Sequence, residues 1–307
     1  MKDFAAAAMF RLIRLSLDHQ GISSMSVDGN GEAHVPFSDK RLLAERLWNT
    51  CGPNVIVKVG EAIQYAPPEP ILVALSLAQD PVDLVNRWQR LERFVHSRHR
   101  VRIEAVGQGW MQLKHFSLVA SSPPTAAEDL LIFGLLTVLI EQLGVDNLQA
   151  RITGEQSWRR TKAVWEPSTW PTEVSTWEFC WSAVEQESTF LSALNSTDNW
   201  LDIVRTQLTA DPGRDWRVEI LAKLLGTSTR TLQRRFTEHH TRFSDLLREA
   251  RMFHAAQLLT TSGNTPAEIG YLCGFSDQAH FTRAFKRHTA LTPANFRIQF
   301  ESGNTKR

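Results

Sequence analysis

Two short stretches near the end of this 307-residue sequence carry side chains suited to reading the edges of nucleic-acid bases. In the first, Arg230, Gln233 and Arg234 stand at i, i+3 and i+4, so on a helix they share one face. Arginine can grip guanine O6 and N7 with two parallel bonds, and glutamine can do the same at adenine N6 and N7. In the second, Gln278, Ala279, Thr282 and Arg283 make a comparable face expected at base edges, and Lys286 and Arg287 follow it at places suited to phosphate. An ordinary solvated basic face is the commoner fate of such a stripe on an arbitrary helix. The setting weighs against it here: a tight turn and a small partner helix precede each stripe, and there are two copies about 48 residues apart.

The elements that must hold these side chains are legible in the same region. Val218, Leu221, Ala222 and Leu225 have helical apolar spacing, Gly226 suits the positive φ that ends a helix, and Ser228 suits an N-cap. Leu232 and Phe236 then point into a core, opposite the first stripe. In the second copy Thr265 caps, Pro266 takes the first helical position, Gly274 turns the chain, and Ser276 is expected to cap the next helix. Phe281 and Phe285 form its buried pair. Between the copies Leu246, Leu247, Ala250, Phe253, Ala256 and Leu259 predict a continuous helix over 243–259. At ~17 residues it spans ~25 Å, and it would fix the distance between the two stripes. A separation near ~34 Å would admit both to successive major grooves of a DNA duplex.

Charge divides along the same line. Residues 211–307 hold 15 Lys/Arg against 9 Asp/Glu, and residues 1–210 hold 19 against 24, so a net charge of +1 hides a basic end on an acidic body. That arrangement suggests a polyanionic partner, double-stranded DNA, for one end only.

Upstream the pattern is mixed. Helices are expected over 4–20, 39–50 and 80–97, the last opening on Asp80-Pro81. Val55, Val57 and Val59 alternate like a strand. So do Val101, Ile103 and Ala105, then Met111, Leu113 and His115, around the Gly107–Gly109 turn of a hairpin. A long apolar helix over 125–143 and a strand through Leu148, Ala150 and Ile152 follow. The apolar run Leu130–Ile140 is short of the ~18 residues needed to span a bilayer, so no membrane partner is expected. The fold class is thus an α+β N-terminal domain (1–190), a linker helix and loop (191–211, from a helix of roughly 187–208 to Asp211-Pro212-Gly213), and an all-α domain (212–300). The all-α domain holds two helix-turn-helix units joined by a long helix.

Trp158, Trp165, Trp170, Trp177 and Trp181 crowd together late in the first domain. They suit an aromatic pocket for a flat or apolar small-molecule effector, and equally ordinary core packing. Arg90, Arg93, Arg98 and Arg102 suit an anionic ligand or a solvated edge. No metal or other cofactor is expected: Cys51, Cys180 and Cys273 are far apart, and His280 and His288 have no third ligand near in sequence. The scattered cysteines, and the arginines Arg11 and Arg14 that interrupt the apolar N-terminus, point to a cytoplasmic protein.

The run Ser-Thr-Arg-Thr-Leu-Gln-Arg-Arg-Phe (228–236), the run Ala-Glu-Ile-Gly-Tyr-Leu-Cys-Gly-Phe-Ser-Asp-Gln-Ala-His-Phe-Thr-Arg-Ala-Phe-Lys-Arg (267–287) and the closing Leu-Thr-Pro-Ala-Asn-Phe-Arg (291–297) resemble the AraC family of transcription regulators. The resemblance covers about 212–300. It places base reading on Arg230, Gln233 and Arg234 in one unit and on Gln278, Ala279, Thr282 and Arg283 in the other. Three positions depart from the family pattern: Gly270 and Phe296 replace its usual Ala and Tyr, and Ala290 replaces its usual Gly. Gly270 is expected to loosen the second unit by ~1 kcal/mol of helix propensity. The segment Pro81–Arg87 and its helix are similar, more faintly, to the non-cupin, arabinose-binding-like sensor domain of one branch of the family. The resemblance implies a homodimeric regulator answering to a small-molecule effector, with RNA polymerase as a partner if it activates. An architectural DNA binder with no effector is the alternative. An enzyme is disfavoured, because the sequence has no GxSxG, HExxH or GxxxxGK[ST] motif and no cysteine in a Pro-Cys-His-Arg setting.

Overall fold

The computed structural model describes residues 4–22, 34–66, 69–167, 169–182 and 200–300. The chain divides into two compact units, Met1–Ala66 with Ala78–Leu191, and Pro67–Leu77 with Ser192–Arg307.

The first unit begins with β1 (Phe4–Ala6), antiparallel to β2 (His34–Pro36), and with α1 (Ala7–His19), which buries Phe10, Ile13 and Leu17. Then come α2 (Phe37–Cys51), α3 (Pro53–Val57) and a 3-10 helix over Lys58–Tyr65. The strand expected through Val55, Val57 and Val59 is therefore helical instead. Pro53 sits at a first helical position after Gly52, whose φ is 80°, and the buried residues are Ile56, Val57, Val59 and Gly60, a helical rather than an alternating set. Three valines in five residues do not separate a short strand from a buried helical turn. Glycine makes this packing possible: a Cβ at Gly60 would strike the carbonyl of Gly134, and one at Gly134 would strike the carbonyl of Val57.

Gly134 lies on α6 (Ala126–Glu141), the long apolar helix, whose residues 127–140 are all buried. A capping box opens it: the Thr125 hydroxyl accepts the Glu128 N–H, and Glu128 Oε2 accepts the Thr125 N–H. The α5 helix (Pro81–Val95) starts as expected, with the Asp80 carboxylate accepting the Asp83 N–H at 2.8 Å, but it ends two residues early, before His96. The hairpin forms from β3 (His99–Gly107) and β4 (Trp110–Ser117), with a bulge between Ile103 and Ala105. With β5 (Gln149–Ile152), β6 (Arg160–Thr161), β7 (Val164–Trp165) and β8 (Thr176–Cys180) it builds a six-stranded antiparallel sheet in the order β3-β4-β8-β5-β6-β7. Phe133 of α6 packs on this sheet, 5.7 Å from the rings of both Trp177 and Phe179.

The second unit is helical among its described residues. It contains α4 (Pro70–Ser76), α7 (Trp200–Ala210), α8 (Val218–Leu224), α9 (Thr229–Glu238), α10 (Phe243–Thr261), α11 (Pro266–Leu272), α12 (Gln278–Thr289) and α13 (Pro293–Phe300). Of the linker helix expected over 187–208, the part before Trp200 lies outside the described residues. The rest is α7, whose Val204 and Leu208 share a core with Trp216, Leu221, Leu232, Phe236 and Leu246. α4 packs along α10, although the two are far apart in sequence.

Candidate nucleic-acid interface

Each stripe sits on a helix whose start is capped and whose approach is turned by glycine. Before α9, Gly226 has φ 61° and Ser228 Oγ accepts the Thr231 N–H at 3.1 Å. Before α12, Gly274 has φ 75°, and α11 opens on a capping box between Thr265 and Glu268. The cap of α12 is Asp277, not the expected Ser276. Asp277 is extended (φ −162°), and its Oδ1 accepts the His280 N–H at 2.6 Å. Ser276 Oγ turns aside to Asp277 Oδ2 and His280 Nδ1.

The two helices present the expected faces. Leu232 and Phe236 are buried under α9, and Arg230, Gln233 and Arg234 are exposed on its far side. Arg234 has 71% of its side chain in solvent and only a loose pair with Glu238 at 3.7 Å, so its guanidinium is available to a partner. On α12, Phe281 and Phe285 are fully buried, Gln278, Ala279, Arg283, Lys286 and Arg287 are exposed, and Thr282 is half-buried. Behind them Phe275, Phe281, Phe285, Phe296 and Phe300 stack in sequence with centroids 5.0 to 5.6 Å apart. Phe296 is wholly enclosed, which suits Phe where the family pattern has Tyr.

Gly270 sits where α11 meets α12. A Cβ there would lie 3.1 Å from Phe281 Cβ, so a methyl would require Phe281 to give by a few tenths of an ångström, against the helix propensity that glycine forgoes. Arg251 of α10 ties the region together: its Nε donates to the Pro212 carbonyl at 3.1 Å, and its guanidinium lies over the Phe275 ring. His288 lies 2.9 Å from Glu69, beside α4, and His280 Nδ1 faces the Ser276 hydroxyl.

The tryptophans of the first unit separate into two sets. Trp165, Trp170 and Trp177 surround Phe133 at 5.7, 6.4 and 5.7 Å, and Trp170 also donates to Asn54 Oδ1. Trp158 lies under the Arg151 guanidinium, and Trp181 donates its backbone N–H to Gly109. One cluster escaped sequence reasoning altogether: His96, His99 and Glu128 converge in the interior, with Lys40 beside them. No motif spacing announces it, because its members come from α2, the α5–β3 junction and α6.

Residues 221–299 match a family model described as a helix-turn-helix domain. Over 97 residues the chain is 35% identical to the urease operon transcriptional activator of Escherichia coli, covering 32% of this chain and 33% of that protein. Over 78 residues it is 47% identical to the HTH-type transcriptional regulator GlxA of Rhizobium meliloti (strain 1021), covering 25% of this chain and 24% of that protein. Among solved structures, the transcriptional regulator CdpR from Pseudomonas aeruginosa is 15% identical, covers 94% of this chain and 97% of its own, and has a TM-score of 0.36. The C-terminal domain is thus a helix-turn-helix DNA-binding domain. That domain is of the AraC type. The match spans about a quarter to a third of these two relatives' length. No helix among the described residues is long and apolar enough to cross a membrane.

Proposed function

We propose that the chain is a sequence-specific, DNA-binding transcription regulator in which α8–α9 and α11–α12 are two helix-turn-helix units. In this reading α9 and α12 enter successive major grooves. Arg230, Gln233, Arg234, Gln278, Ala279, Thr282 and Arg283 meet base edges, and Lys286 and Arg287 meet phosphate. The observation that carries it is the opposition on each helix: a buried apolar pair on one side, and exposed Arg and Gln groups on the other. The first unit then serves a cytoplasmic homodimer as the sensor of a small-molecule effector, and RNA polymerase is the further partner where transcription is activated.

Binding titrations on specific and scrambled duplexes test the assignment. Arg234→Ala and Arg283→Ala are expected to cost ~1–3 kcal/mol on the preferred site and to relax specificity, with unchanged melting temperature. Lys286→Ala should weaken all sequences about equally and lower the salt slope by about one. If Arg234→Ala weakens both duplexes equally, it is a phosphate contact and the base-reading role is wrong.

A further inference from the structure

DNA recognition makes no use of the ionisable cluster inside the first unit. We propose that His96, His99 and Glu128 form a buried site for one divalent transition-metal ion of the zinc class, in a position that the Lys40 side chain otherwise fills. Each of the three offers a ligand atom, and these atoms all lie within 4.8 Å of one another. All three are enclosed, with 9, 2 and 0% of their surfaces exposed. One pair is telling. His99 Nδ1 and Glu128 Oε1 are 3.6 Å apart, too far for a good hydrogen bond but close to the edge of a tetrahedron whose metal–ligand bonds are ~2.0–2.2 Å.

Hydrogen bonding supports the same reading. Both ring nitrogens of His99 and Oε1 of Glu128 lack a hydrogen-bond partner, which buried polar atoms seldom tolerate. Glu128 is held so that Oε1 faces the cluster, because its other oxygen is engaged by Thr125 in the capping box. The rings are also held by packing: His96 stacks on His99 at 4.8 Å, and Phe37 meets both edge-on. His115 is adjacent but engaged, with Nδ1 2.7 Å from Asp129. Lys40 fills the position proposed for the ion, its Nζ 3.1 Å from His96 Nε2 and 3.6 Å from Glu128 Oε1. Its flexible stem lets it withdraw when a metal competes for the same atoms.

The three ligands are not equal. His96 Nδ1 accepts the backbone N–H groups of Arg98 and His99, which leaves the ring proton on Nε2. Ligation by His96 therefore sacrifices those bonds, whereas His99 gives up no hydrogen bond and Glu128 only its 3.6 Å ion pair with Lys40. This sets an order for the variants, and it stands apart from the DNA-binding reading because the readout is metal binding itself.

The test uses the full chain, stripped by chelator and titrated with Co2+ alone. One ion per chain is expected, with the visible absorption of a tetrahedral N/O site, displaced by Zn2+. His99→Gln and Glu128→Gln should lose the band while far-ultraviolet circular dichroism stays unchanged, glutamine at 128 keeping the cap. His96→Gln should weaken binding less, and Lys40→Met should bind at least as tightly as wild type. The proposal is overturned if stripped wild-type protein takes up neither Co2+ nor Zn2+ in equilibrium dialysis, if the band survives in folded His99→Gln, or if folded Lys40→Met loses it. The first of those outcomes would leave bridging water as the partner of the orphaned atoms.

Discussion

At Ala290 the chain leaves α12 through the left-handed region, with φ 67°, and its N–H returns to the Lys286 carbonyl. A Cβ is unfavourable there, which is why the family pattern has glycine at this position. Ala290→Gly is therefore expected to stabilise the domain by about 0.5–1 kcal/mol, the relief of strain exceeding the entropy glycine adds to the unfolded chain. Chemical denaturation of the two proteins checks this, and an unchanged or lower midpoint would show that the strain is absorbed elsewhere. Gly270 is the opposite case. The propensity scale promises ~1 kcal/mol from Gly270→Ala, but the methyl would meet Phe281 at 3.1 Å, so the sign depends on whether that ring gives way. A departure from family pattern has no fixed sign until its neighbours are known.

Among the elements, capping carries a pH signature. Glu268 and Asp277 are both held below the ordinary carboxylate range, Glu268 chiefly by the Thr265 N–H and Asp277 chiefly by the His280 N–H. In the unfolded chain they return to ordinary values, so the unfolded state takes up protons first as pH falls. Their contribution is present in full above the ordinary 4.5 and 3.8 and is lost as pH drops through the lower folded values. The melting temperature of the protein should fall between pH 5 and about pH 3, and less steeply in a Glu268→Gln/Asp277→Asn double variant, whose amides still cap but do not titrate. Equal slopes would place the acid sensitivity elsewhere. The capped helices were also the most legible elements: Thr265-Pro266, Ser228 and Asp80-Pro81 each start a helix as read. Ser276 failed because Asp277 beside it is an equally good cap, and only the backbone conformation chooses between neighbours.

For the whole molecule, the second unit is more than the segment 212–300. Met252 and Ala255 of α10 fall outside its apolar stripe, yet both are buried, and α4 packs along this helix. Residues 200–307 expressed alone should therefore bind DNA with steep salt dependence but melt earlier than a version to which residues 67–77 are restored by fusion. Matching melting curves would show α4 to be a bystander. In sedimentation at micromolar concentration the full chain is expected as a dimer and the 200–307 fragment as a monomer. A monomeric full chain would remove dimerisation from the proposal.

The sequence alone determined the class of the second unit and the faces of α9 and α12, because local rules dictate them: 3.6-residue periodicity, caps, glycine turns and fixed spacing between residues a few positions apart. It also determined the β3–β4 hairpin and the enclosed helix α6 for the same reason. Tertiary structure alone decided what depends on residues distant in the chain. Val55–Val59 became helix because Gly60 and Gly134 let that segment press against α6. Residues 67–77 joined the far end of the chain because α10 had a second apolar side to cover. Lys40, His96, His99 and Glu128 met because α2, the α5–β3 junction and α6 share one interior, and no spacing rule links side chains whose proximity is made by packing.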